Sequence, residues 1–224
     1  MRLTYLGHSA VHVETGDYSL LIDPFISGNP LASVDVDELT PDYILITHAH
    51  GDHVGDAVRI AKRSGATVVG MVEICRALKP QGVGTHGMNI GGFFGFPFGR
   101  VKLTPAWHSS SFDDGRYGGM PTGIVLEAEG KRVYHAGDTG LFGDMQLIGS
   151  LGLDLAFLPI GGNYTMGPEE ALEAAKLLRA ERVVPIHYDT FDLICQDPQA
   201  FARSVTAAGA GECLPLQPGG TVEL

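Results

Sequence analysis

Cysteine is scarce in this chain of 224 residues. Cys75, Cys195 and Cys213 are the only three, and no two of them form a CxxC pair. That argues against a disulfide-stapled scaffold and a thiolate metal cluster. An odd number of scattered thiols reads as free packing residues in a reducing compartment. Long apolar runs are also missing, and none approaches the ~20 residues needed to span a bilayer. Met1-Arg2-Leu3-Thr4-Tyr5-Leu6 lacks the pattern of a secretory leader and reads as a first strand, so a cytoplasmic protein is expected. Basic side chains are few: fifteen Lys and Arg stand against 26 Asp and Glu, for a formal charge of −11. They form no cluster able to neutralise a row of phosphates, which disfavours an extended nucleic-acid surface. A small-molecule substrate is the expected partner, with no membrane; a homo-oligomer stays open. A bound cation can still create a positive spot inside an acidic protein, so a small phosphate-bearing substrate is not excluded.

Apolar residues make up 44% of the sequence and charged ones 18%, the balance of a globular protein. The length suits one domain, expected to run over 1–224. Strand-like and helix-like segments alternate. Leu3–Leu6, Ala10–Glu14, Tyr18–Ile22, Tyr43–Ile46 and Ala66–Met71 read as strands, as do Val101–Ala106, Gly123–Ala128, Lys131–His135, Leu153–Leu158 and Arg182–Ile186. Helices are expected over Asp56–Ser64, with Gly65 as a left-handed cap, over Val72–Leu78, over Glu169–Ala180 behind Pro168, and near Pro198–Ala208, before a closing strand. Gly82–Gly99 breaks the pattern; its Gly- and Phe-rich part reads as a hairpin with aromatic packing, or else a hydrophobic contact wall. The sum is an α/β arrangement with helix-covered sheets.

His48-Ala49-His50-Gly51-Asp52-His53 packs three imidazoles and a carboxylate into six residues, just past the strand-like Tyr43–Ile46. Each is a ligand for a divalent metal near neutral pH. Gly51 and Gly55 allow the tight turn that would make them converge. A solvated polar loop is the bland alternative, and three histidines in six positions fit it poorly. Three more candidates follow apolar runs and precede turns: His108, Asp138 and His187. With His48 and His50 alternating on extended backbone, His108 would complete one cation site. Asp52, His53 and His187 would form a second, with Asp138 bridging the two. Two cations ~3.5–4 Å apart, each with an open position, would hold a nucleophilic hydroxide and polarise the bond under attack. That equipment suits a hydrolase for a small ester, lactone or phosphoester. Histidine and carboxylate ligands without thiolate suit zinc first, with manganese, nickel and iron as alternatives.

The HxHxDH motif of His48–His53, followed at long intervals by His108, Asp138 and His187, resembles the metallo-β-lactamase fold. The resemblance covers essentially the whole chain and implies a four-layered αββα sandwich with a dinuclear site at the sheet edges. It also implies that Asp23, ending Leu20-Leu21-Ile22-Asp23, orients a ligand or water by hydrogen bonding. Gly7-His8-Ser9-Ala10, His135-Ala136-Gly137-Asp138-Thr139, Leu158–Pro168 and Pro185–Phe191 are similar to a narrower group, the metal-dependent hydrolases related to L-ascorbate-6-phosphate lactonases. That group commonly has Asn where Asp189 stands here. In relatives His8 lies near the metal pocket, which implies substrate contact or proton transfer; Asp52 and His8 are therefore the candidate catalytic residues.

Other residues near the motifs carry weaker readings. Tyr164–Met166 precede a helix N-terminus where an anion could sit, or simply cap it. His135 lies within a strand and can support the ligands from behind. Ser109–Met120 reads as a flap or a plain surface loop. Competing functions are a nuclease or phosphodiesterase, iron-dependent redox or oxygenase chemistry, and a metal-binding protein without turnover. Di-iron redox members of the resembled fold typically carry Glu where His50 stands, which favours hydrolysis.

Overall fold

The computed structural model describes residues 1–224. Its first half builds β1 (Arg2–Gly7), β2 (Ala10–Thr15), β3 (Tyr18–Ile22) and β4 (Tyr43–Leu45), then α1 (Gly51–Val54), α2 (Ala57–Ser64), β5 (Thr67–Met71), α3 (Val72–Leu78) and β6 (Gly84–Met88). The second half builds β7 (Phe94–Phe96), β8 (Gly99–Pro105), β9 (Thr122–Ala128), β10 (Lys131–His135), α4 (Met145–Gly149), β11 (Leu155–Pro159), α5 (Pro168–Leu178), β12 (Arg182–Ile186), α6 (Pro198–Ala207), β13 (Glu212–Cys213) and β14 (Thr221–Glu223).

Two seven-stranded sheets result, ordered β14-β1-β2-β3-β4-β5-β6 and β13-β12-β11-β10-β9-β8-β7. Each has the same internal logic. Hairpins make one side antiparallel (β1 to β3, β7 to β10), and crossovers make the other parallel (β3 to β6, β10 to β13). Side-chain alternation fixes the layers. Ile124, Leu126, Val133, Leu155, Phe157, Val184 and Ile186 pack with Leu3, Leu20 and Ile44 of the first sheet. The intervening Val125, Tyr134, Ala156, Leu158 and Val183 pack with Met145, Ala174 and Phe201 of α4, α5 and α6. Those strands are apolar on both faces, as strands covered on both sides must be. On the far side α2 lies on β4 and β5, and α3 on β5 and β6. The architecture is the expected layering of helices, sheet, sheet and helices.

Local chemistry explains the helix ends. Gly65 closes α2 at φ +80°, the left-handed geometry that glycine adopts without a Cβ penalty. Pro168 opens α5 as expected, and the Glu170 carboxylate accepts from Gly167 N. Asp197 caps α6, its Oδ1 accepting from Gln199 N (2.9 Å) and Ala200 N (3.0 Å). Asp197→Ala should lower the unfolding free energy by about 1 kcal/mol, read as a shifted urea midpoint; an unshifted midpoint would show that the cap contributes nothing.

The Gly- and Phe-rich stretch is the β7–β8 hairpin, with Phe96 and Phe98 stacked 5.1 Å apart and packed on Tyr43. Four short elements fall outside the expected set. β6 lies in the Gly82–Gly99 stretch where the pattern breaks, α4 and β13 carry no separate expectation, and the ligand-rich turn contains the four-residue α1.

Candidate metal centre

The two sheets meet along a seam closed by hydrogen bonds from one to the other. His187 N donates to His8 O (2.8 Å), Thr122 N donates to Thr47 O (3.1 Å), and His135 Nε2 donates to Ser9 O (2.9 Å). Strand ends from both sheets open at this seam. Asp23 follows β3 and the His48–His53 turn follows β4; His108, Asp138 and His187 follow β8, β10 and β12. Crevices beyond the carboxyl ends of parallel strands are where α/β sheets place functional groups. Several residues here hold left-handed backbone without being glycine: His8 (φ +57°), Asp23 (+45°), His187 (+55°) and Asp189 (+59°). Each such conformation costs about 1 kcal/mol or more, and such strain tends to gather at functional sites.

Hydrogen bonds decide which nitrogen of each imidazole faces inward. The Asp23 carboxylate is fully buried and accepts from Thr47 N (2.8 Å), Thr47 Oγ1 (2.5 Å) and His53 Nδ1 (2.8 Å). Thr47 Oγ1, its proton committed to Asp23, accepts from His48 Nδ1 (3.0 Å). One carboxylate thus turns the Nε2 lone pairs of both His48 and His53 toward the cleft. His50 is set the other way: Nε2 donates to Ser109 Oγ (3.2 Å), and Nδ1 comes within 3.0 Å of His48 Nε2.

The sequence-predicted residues converge. The donor atoms of His48, His50 and His108 lie within 4.8 Å of one another, and so do those of His8, Asp52, His53 and His187. Asp138 stands between the groups. Its Oδ2 is 3.0 Å from His187 Nε2, 3.5 Å from His108 Nε2 and 3.9 Å from His48 Nε2; its Oδ1 is 3.2 Å from His53 Nε2. His53 Nε2, Asp138 Oδ1 and His187 Nε2 are buried without a hydrogen-bond partner. Orphaned buried donors and acceptors are costly. A divalent cation fits this set, since its atoms are imidazole nitrogens and carboxylate oxygens aimed at common points.

Burial pushes His48 well below the ordinary histidine value, keeping its lone pair free. Burial also opposes charge on His53, but Asp138 and Asp23 on its two sides outweigh it and hold the ring above its ordinary value. Burial would raise Asp138, yet His187 and His53 hold it well below the usual carboxylate range. Burial brings His8 down to about 4 despite its bond to Asp52.

A family profile described as "Beta-lactamase superfamily domain" matches residues 18–188. A relative from Thermus thermophilus, the UPF0173 metal-dependent hydrolase TTHA1283, is 53% identical over all of this chain and 99% of its own length. This chain belongs to the beta-lactamase superfamily, among the UPF0173 metal-dependent hydrolases. The solved structure of Igni18, a metallo hydrolase from Ignicoccus hospitalis, superposes with a TM-score of 0.91 at 46% identity, covering 99% of this chain and 97% of that one. The metallo-beta-lactamase fold protein YhfI from Bacillus subtilis shares the fold alone, at TM-score 0.78 and 16% identity, covering 99% of this chain and 98% of that one.

In this UPF0173 chain His8 sits beside Asp52, not free among the donors. Its Nε2 donates to Asp52 Oδ2 (3.2 Å), and its Nδ1 accepts from Thr190 Oγ1 (2.8 Å). Thr190 lies in the Pro185–Phe191 stretch that carries the narrower resemblance, but 182 residues separate it from His8, so nothing in the sequence paired the two. Ser109, which orients His50, was read only as part of the loop. His135 faces away from the donor atoms: Nε2 donates to Ser9 O, and Nδ1 accepts from Gly137 N (3.1 Å), which fixes the turn that carries Asp138. The α5 N-terminus already has Glu170 on Gly167 N, so one of its donors is taken. Ser109–Met120 folds back on itself through the Ser111–Tyr117 bridge, and Ser110 Oγ accepts from Ala49 N (3.2 Å).

Proposed function

We propose that residues 1–224 act as one domain, a cytoplasmic hydrolase that binds two divalent cations, zinc first, and cleaves a small ester, lactone or phosphoester. The single observation that carries the reading is the Asp138 carboxylate, which faces four imidazoles from both sheets. His48, His50 and His108 would hold one cation, Asp52, His53 and His187 the other, with Asp138 shared. Such ions would supply Lewis-acid polarisation and make water more readily deprotonated near neutral pH. Three free cysteines suit a reducing compartment; no helix is long and apolar enough to cross a membrane.

The chain's own groups do the positioning. His8 holds one Asp52 oxygen, leaving Oδ1 directed toward His53 Nε2 at 4.0 Å. Its ring is neutral at pH 7, because burial lowers its pKa to about 4. Asp52, ionised and lining the cleft, can take the proton that an attacking water loses. His8 is thus a positioning residue for Asp52, itself anchored by Thr190.

The test joins metal analysis of the native protein to turnover of neutral lactones and p-nitrophenyl phosphodiesters with that metal restored. Two metal equivalents and hydrolysis of one class are expected. His8→Ala should lower kcat about 10- to 100-fold with KM nearly unchanged and metal content kept, and His8→Asn should recover part of the loss. One metal equivalent or fewer with full activity would overturn the dinuclear reading.

A further inference from the structure

Next to the candidate metal centre lies a second hollow of about 700 Å³, bordered by the end of β8 and the Ser109–Pro121 segment. His108 and Ser109 line both this hollow and the pocket of about 380 Å³ that contains Asp52, Asp138 and His187. The two spaces therefore adjoin across one pair of side chains. Eight large apolar side chains of the protein are exposed, and five of them border these spaces: Trp107, Tyr117 and Met120 on one side, Tyr164 and Phe191 on the other. Trp107 is 70% exposed and Tyr117 65%. Clustering of that kind marks a binding surface, whereas scattered exposed apolar residues do not.

Charge points the same way. No Lys or Arg lines either space. Arg116, the one basic residue in the neighbouring loop, is bound to Asp114 (2.7 Å) and lies over the Phe112 ring. A phosphate or carboxylate on the part of a substrate remote from the reacting bond would find no side-chain cation there, only the neutral hydroxyls of Ser109, Ser110 and Ser111, and so would lack its strongest kind of partner. An aromatic or aliphatic group would find a flat apolar surface.

We infer that the Trp107–Tyr117–Met120 hollow receives the distal part of the substrate. The substrate is then an electrically neutral ester or lactone with an aromatic or long apolar group, not a phosphorylated one. This rests on the hydrolase reading above and narrows it. In the reaction the oxygen of water bonds to the carbonyl carbon and the carbonyl carbon–oxygen single bond breaks. The departing oxygen keeps the electron pair and takes a proton, giving an acid and an alcohol from an ester, or one hydroxy acid from a lactone.

Trp107 is the only tryptophan of the chain, so its fluorescence reports on this hollow alone. Two measurements on the metal-loaded protein test the inference. In the first, the neutral amide 4-phenylbutyramide should change Trp107 emission saturably, ribose 5-phosphate should not, and Tyr117→Ala should weaken the apparent Kd about fivefold. In the second, kcat/KM should rise about tenfold from γ-butyrolactone to its γ-phenethyl derivative, and Tyr117→Ala should erase that ratio. Tyr117 is exposed, so the variant should fold. No saturable response to the amide, a larger response to the phosphate, or a ratio that survives Tyr117→Ala would overturn the inference. A saturable, Tyr117-dependent response with neither lactones nor p-nitrophenyl esters or phosphodiesters turned over would leave the subsite standing and sink the hydrolase reading instead, whereas turnover of the phosphodiesters alone would overturn the neutral-substrate inference.

Discussion

Asp138→Ala should abolish hydrolysis, by about 1000-fold or more, and strip bound metal while the chain stays folded. The size follows from position. Asp138 Oδ2 lies 3.0 Å from His187 Nε2 and 3.5 Å from His108 Nε2, and Oδ1 lies 3.2 Å from His53 Nε2. No other carboxylate faces donors of both groups this closely. Removing it takes one ligand from each proposed cation, leaves His108 with no carboxylate and takes from His187 its nearest one. A shared ligand supports charge stabilisation worth several kcal/mol, and each 1.36 kcal/mol is tenfold in rate. Metal content, turnover and far-ultraviolet circular dichroism should be measured together, with Asp138→Asn as the isosteric partner. Full turnover by either variant with native metal content would remove Asp138 from the centre.

Gly55→Ala should cost about 3 kcal/mol or more of stability and disorder the donor set as well. Gly55 ends α1 at φ +42° and ψ −124°, a conformation that L-residues avoid. A Cβ there would lie 2.4 Å from Pro24 O and 2.7 Å from Phe25 Cα. Both are backbone atoms of the segment that follows Asp23, so neither can swing aside as a side-chain tip would. Relief would require moving either the Asp23–Phe25 turn or α1, which carries Asp52 and His53. Denaturant midpoint and metal affinity should therefore fall together; a variant with wild-type values of both would show that the turn has slack. Gly51 is a different case. Its backbone is helical, and a Cβ there would meet only the carboxylate end of the exposed Asp113 side chain at 3.0 Å, which can move aside, so Gly51→Ala should cost far less than Gly55→Ala.

Long, apolar, punctuated segments were legible from sequence to within a residue or two. β3, α3 and β12 fall where the pattern put them, because β-branched runs and the breaks beside them reflect burial directly. β6 was not legible. It is an edge strand, half-exposed, with two glycines in Gly84–Met88, and its pairing to β5 is a tertiary event. α4 and β13 are too short to show a period. At the cleft, residue type and spacing identified the histidines and acids, since few other roles require three imidazoles in six positions. Their orienting partners were hidden. Thr190 meets His8 and Ser109 meets His50 across long sequence separations that only the fold closes. Asp23 came from family resemblance alone; nothing in Leu20–Asp23 by itself says that its carboxylate would hold His53 and Thr47.

The seam between the two sheets bears on how the protein comes into being. Donor side chains lie as far apart along the chain as His48 and His187, on opposite sheets. On the proposed two-ion reading, a nascent polypeptide that has not yet emitted β12 from the ribosome already carries His48, His50, His108 and Asp138 but lacks His187, so it cannot complete the second ligand set. If the proposed two-ion reading holds, completion of that second set belongs to the closing stage of maturation, after β12 has joined its sheet.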